Sequence, residues 1–189
     1  MSTNVLMPRA QVHDWSEEIA ANLAEHQTGL QRLLKGQRRL TRFIEQQRDA
    51  MAPGTGGVAI YMTGVIARMF DLAGGRLKNA TWDQVRAAEA KVRNQFSALL
   101  PLDAQMGERF RTLDRAQPHI LDEAYMALFE SERDEEDEDI DEKESLKILL
   151  LCWVVAEVMD SNWTAPSDFA GDSTYEYVHI EPSKRSTDD

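Results

Sequence analysis

Residues 146–159 read Leu-Lys-Ile-Leu-Leu-Leu-Cys-Trp-Val-Val-Ala-Glu-Val-Met, apolar almost all the way round. A helix with one wet face carries apolar residues only every third or fourth position, so a helix of this composition belongs inside a core. It is too short to cross a bilayer, which takes about 20 residues. Each fully buried Leu, Ile or Val contributes about 1.5–3 kcal/mol. The stretch is therefore expected to be the centre around which other helices wrap.

The chain has 189 residues, enough for one domain with a substantial core. Its single cysteine, Cys152, lies inside the apolar stretch, so an internal disulfide is excluded and no zinc-type Cys/His spacing exists. A reducing cytoplasm fits this usage, and residues 1–11 contain no apolar run of signal-peptide length. The net charge of −12 is unevenly divided. Residues 1–80 carry ten Lys/Arg and seven Asp/Glu, residues 81–122 six of each, and residues 123–189 five against twenty. Such asymmetry bears on partners and solubility, not on fold.

Toward the N-terminus, Val12, Trp15, Ile19, Leu23, His26, Leu30, Leu33, Gln37, Leu40 and Ile44 recur at steps of three and four. That register predicts one long amphipathic helix over residues 10–51, about 60 Å at about 1.5 Å per residue. Gly29 and Gly36 weigh against continuity. The stripe either packs on its own domain or forms a coiled-coil seam with a second copy.

Pro53-Gly-Thr-Gly-Gly57 reads as a connecting loop before an apolar helix over 58–72, which Gly74-Gly75 stops. No Walker lysine follows and no strand precedes, so a phosphate cradle is disfavoured. Thr81 and Gln84 form a capping box for a helix bearing Val85, Ala88, Val92 and Phe96. Asp103 is placed to cap a helix carrying Met106 and Phe110, and Pro118 opens another. Asp141 and Glu144 are placed as a capping box for the central helix. The whole is expected to be an all-α, bundle-like domain over 1–160, with about six helices joined by short connections.

Residues 130–144 are the acidic run, expected to be mobile over 130–140. Beyond Asp160 the helical pattern ends. Residues 161–189 are rich in Ser, Thr, Asp and Pro and are expected to be a disordered tail, in which Tyr175, Tyr177 and Ile180 form a short aromatic motif suited to a strand or a peptide ligand.

Candidate chemistry is sparse. An EF-hand loop needs a Gly at its sixth position and a Glu at its twelfth. Starting at Asp134 those positions hold Asp139 and Ser145, and starting at Asp137 they hold Glu142 and Ile148. The one Glu-x-x-His, Glu176 to His179, has no second copy to complete a di-iron site. His26, on the apolar stripe, reads as a core-edge histidine, and Cys152 as a buried, inert thiol. No nucleophile motif is present. No cofactor, metal or catalytic residue is expected.

Two charged surfaces remain. Arg32, Lys35, Arg39 and Arg42, with Arg38 beside them, would form one basic stripe on a continuous helix. Asp134, Glu135, Glu136, Asp137, Glu138 and Asp139 are the centre of the acidic run. The function expected is an intracellular protein–protein interaction or assembly protein without catalytic activity, forming homo-oligomers through the N-terminal helix. Two alternatives are an acidic inhibitor that mimics nucleic acid, and a small helical subunit of a nucleoprotein complex. No membrane contact is expected.

Overall fold

A computed structural model of the chain describes residues 4–131 and 140–181. Among them are eight α-helices and one two-stranded antiparallel sheet. The central stretch lies in the last and longest helix, α8 (Glu142–Asn162). It packs against α3 (Arg38–Asp49), α4 (Pro53–Leu72), α5 (Trp82–Gln95) and α7 (Pro118–Tyr125). Asp141 caps it, its Oδ1 accepting from Glu144 N at 2.8 Å. The Glu144 carboxylate pairs forward with Lys147. Ile148, Leu149, Cys152, Trp153, Val155 and Ala156 are fully buried. Between Ser145 and Asp160 only Lys147 is exposed, and only Leu150 and Glu157 are half-buried. With Val154 these residues form one line along α8.

The expected long N-terminal helix is three: α1 (Arg9–Ala21), α2 (Leu23–Gly36) and α3. Neither break comes from a glycine's freedom. At Asn22 the backbone leaves the helical region (φ −126°, ψ 41°), and the residue's own N–H and side-chain amide both turn back to Glu18 O. At Gln37 the break is made by a long-range contact: its Nε2 donates to Lys78 O at 2.8 Å and its Oε1 accepts from Ala80 N at 2.9 Å. The bends let three short helices wrap one globule. Val12, Ile19, Leu40 and Ile44 are accordingly buried within the chain. Much of the stripe thus packs within its own domain, against α4 and its neighbours, while Leu23 stays 45% exposed. Dividing the first helix in three also accounts for eight helices where about six were expected.

The glycine-rich stretch is a second correction. Pro53 to Gly57 is the first turn and more of α4, with Pro53 at its opening position. Two glycines of α4 serve close approach: a Cβ on Gly56 would stand 2.8 Å from Arg48 Cγ, and one on Gly64 2.9 Å from Leu30 Cδ2. The Thr81–Gln84 capping box at the start of α5 is present in both directions. A 3-10 turn (Phe96–Leu99) leads to α6 (Met106–Thr112). A π-helical turn (Met126–Glu130) follows α7.

The described part of the C-terminal tail lies on the body, unlike the disordered tail expected. β2 (Trp163–Thr164) pairs with β1 (Arg76–Leu77). Gly75 is required there: φ is +79° and a Cβ would stand 2.3 Å from Thr164 O. Trp163 packs edge-on against Phe70 and Phe169. Farther on, Leu6 and Asp172 exchange both backbone hydrogen bonds, at 3.0 and 2.8 Å. Composition had suggested too little apolar surface for docking, but the tail is held by aromatic rings and polar contacts instead. None of the helices among the described residues is long and apolar enough to cross a membrane.

Candidate binding pocket and polar clasp

A pocket opens where α3, α5 and α8 meet. Its volume is about 440 Å³, and its walls include Phe43 and Met51 from the α3 end, Val92 and Phe96 from α5 and its 3-10 turn, and Leu150 and Val154 from α8. The floor is formed by the side of α8 that carries Lys147, Leu150 and Val154. Leu150 is the apolar residue left half-buried on an otherwise buried stretch. Charged rim residues are internally satisfied on two sides: Arg93 meets Glu89 at 2.9 Å, and Lys147 meets Glu144.

The basic residues predicted from sequence are divided by the turn at Gln37. Arg32 and Lys35 lie on α2, Arg39 and Arg42 on α3. All four are exposed, as is Arg38, and among the described residues none has an ion-pair or hydrogen-bond partner. The predicted acidic residues Asp134, Glu135, Glu136, Asp137, Glu138 and Asp139 lie outside the described residues.

Opposite ends of the sequence meet at a polar clasp built on α7. Arg115 and Asp122 form an ion pair at 2.8 Å with both side chains 0% exposed. The Tyr175 hydroxyl donates to the other Asp122 oxygen, also at 2.8 Å. Burial, followed by the Asp122 charge, pushes the Tyr175 phenol up to about 12. One residue pair along, Arg111 lies 3.7 Å from the centre of the Tyr177 ring and donates to its hydroxyl at 2.9 Å. Arg9 of α1 donates to Glu123 at 2.6 Å and to Val178 O at 3.2 Å. Two of the three predicted tail residues, Tyr175 and Tyr177, are thus brought onto the body, and Ile180 is half-buried nearby in sequence.

His119 lies beneath Tyr175, ring centroids 5.2 Å apart. Desolvation lowers its pKa, outweighing the opposing pull of Asp122 and Asp172. Gln117 holds the clasp's other edge. It adopts a left-handed backbone (φ 47°, ψ 60°), while its side chain accepts from Met7 N and donates to Val5 O and Asp160 Oδ1. Strain of that kind costs about 1–3 kcal/mol and persists because the surroundings fix it.

Both Asp122 oxygens are engaged, and Arg9, Arg111 and Arg115 each have a partner, while Arg115 Nε and His119 Nδ1 are buried without a hydrogen-bond partner among the described residues. No group of three His, Cys, Asp or Glu residues among the described residues is arranged to hold a metal ion. Sequence reasoning did not find Arg9, Arg115, Gln117 or Asp122, and only the tail aromatics carried a signal. Burial pushes the Cys152 thiol up to about 12, in keeping with its reading as an inert core residue. His26 is buried at the core edge, its Nδ1 accepting from Arg68 Nε at 3.0 Å. Comparison with family models, curated proteins and solved structures finds no match for this chain.

Proposed function

We propose that the protein is a binding protein for another protein and that the α3–α5–α8 pocket is where the partner inserts. One observation carries the reading: a mainly apolar cavity of about 440 Å³ opens onto the core helix, and Leu150, half-buried on an otherwise buried stretch, lies in its floor. Pockets of roughly 300–1,000 Å³ lined by apolar and aromatic groups are the ordinary form of a binding site. An apolar surface open to solvent on the central helix costs stability, which supports retention for recognition and not for folding.

Photocrosslinking tests the reading. Phe96→p-benzoylphenylalanine, introduced into the full chain in its source cells, is expected to label a discrete protein. Adding Leu150→Arg, which leaves the buried side of α8 intact, should abolish the label. If Leu23→p-benzoylphenylalanine on α2 gives the same product, or if Leu150→Arg has no effect, the pocket is not the site.

The five exposed cations Arg32, Lys35, Arg38, Arg39 and Arg42, without partners among the described residues, favour a second reading, a nucleoprotein subunit. Nuclease treatment before capture would remove the partner in that case and leave it in the first. The acidic-mimic alternative rests on Asp134–Asp139 and is tested by changing those six residues to Asn and Gln.

A further inference from the structure

We infer that the α3–α5–α8 pocket takes the apolar face of an acidic amphipathic helix from another protein. This rests on the proposed reading of the pocket and names the chemistry of its occupant. The shape is the first argument. Two helices form the sides and a third the floor, and a surface helix enters such a groove by an i, i+3, i+4, i+7 row of anchors.

The described residues leave the groove open. Outside the described residues are 1–3, 132–139 and 182–189, which contain one large apolar residue between them, Met1, while 132–139 are charged throughout. A second copy does not offer a suitable face either. Among the described residues the exposed large apolar side chains are Val5, Leu23, Ile60, Tyr61, Leu100 and Val178; only Ile60 and Tyr61 share an element, as adjacent residues of α4, and none of the six forms an i, i+3, i+4 row.

Charge selects the sign of the occupant's flanks. Arg86 and Arg93 on α5 and Lys147 on α8 are each paired with an acid of the same helix. Arg39 and Arg42 on α3 have no partner among the described residues. At about 100° per residue they stand about 40° and 100° round α3 from the pocket residue Phe43. Both lie on the outer side, away from Arg48, which packs on Gly56 of α4. Among the described residues, therefore, no acid answers these two cations of α3 beside the apolar trough. The net charge of −12 opposes an acidic partner at long range. Screening over about 8 Å at physiological salt limits that repulsion, so the adjacent rim dominates once contact is made. A nucleic acid would use the cations and leave the trough empty; a small apolar molecule would do the reverse.

The test uses the full chain and two synthetic helical peptides that share one Leu/Phe face. The first carries Glu and Asp on its flanks, the second Lys and Arg. The acidic peptide should bind at least about tenfold more tightly, a difference of about 1.4 kcal/mol. Leu150→Arg should abolish its binding, and the double variant Arg39→Glu, Arg42→Glu should reverse the preference while leaving the melting temperature unchanged. Equal binding of both peptides, lost in Leu150→Arg, would overturn the acidic occupant while the pocket reading stands. Binding of neither peptide, with the apolar dye 1-anilinonaphthalene-8-sulfonate bound in a Leu150-dependent way, would overturn both in favour of a small ligand. Acidic-peptide binding that survives Leu150→Arg, or that a short DNA duplex displaces through Arg39 and Arg42 alone, would also overturn the inference.

Discussion

Tyr175 and Arg115 hold Asp122 from opposite oxygens, each at 2.8 Å, so a tail residue completes the coordination of a buried ion pair. Tyr175→Phe removes a hydrogen bond to a charged acceptor and should cost about 1.5–3 kcal/mol in urea unfolding. Asp122→Ala strands the Arg115 guanidinium in the interior and should cost more, about 3–5 kcal/mol. Deleting residues 173–189 should lower stability at least as much as Tyr175→Phe. An unchanged unfolding midpoint after that deletion would show that the tail contributes nothing to the body.

Two neighbouring leucines separate the core from the pocket. Leu149 is 0% exposed, and Leu149→Asp should leave no cooperative thermal transition, because an unpaired charge would be buried. Leu150 is half-buried over the pocket, and Leu150→Asp should keep the helical circular-dichroism spectrum and lose only about 1–3 kcal/mol. Similar melts for the two variants would contradict the assigned faces of α8. Sequence pattern alone treats these residues as equivalent.

Acid sensitivity should have a component from His119. Its folded pKa is lowered, chiefly by desolvation, so the unfolded chain binds the proton more readily. Its contribution is thus fully present above the unfolded value of about 6.5 and is lost as pH falls from there through the depressed folded value. His119→Asn should flatten the stability profile below about pH 6.5 relative to the parent. Parallel profiles would mean that the histidine is equally accessible to protons in both states.

Cys152 should ignore thiol reagents while the protein is folded. Its thiol is fully buried and pushed up to about 12, so neither access nor thiolate is available. Labelling with 5,5′-dithiobis(2-nitrobenzoate) should be slow in buffer and complete in denaturant. Rapid native labelling would place an opening motion at α8.

Local rules were legible in the sequence and long-range ones were not. The all-round apolarity of residues 146–159, the Thr81–Gln84 box and the opening proline of α7 reflect contacts within a few residues, and each marks an element in the structure. Gln37 broke the long helix by reaching Lys78 and Ala80, about forty positions on, which no helical periodicity encodes. The stretch 53–57 reads as a connecting loop because the packing partner of Gly56, Arg48, belongs to the preceding helix. The clasp escaped notice for a similar reason: Arg115 and Asp122 sit on either side of the α7 start, and Tyr175 joins them from another region. The basic residues were legible by type and spacing, and their relation to the pocket was not, since Leu150 and Phe96 come from distant segments.

The helix on which α3, α4, α5 and α7 all rest is also the last of the described helices. During synthesis those four leave the ribosome before their common support exists, with the apolar faces that α8 covers still bare. Docking of α8 closes long loops, including the one back to α4, and such closures are slow compared with forming local helices. A nascent chain halted before Leu146 should therefore be aggregation-prone and engage hydrophobic-binding chaperones, and release should coincide with emergence of α8. Early stop codons in this chain would consequently yield insoluble product, not a smaller working domain.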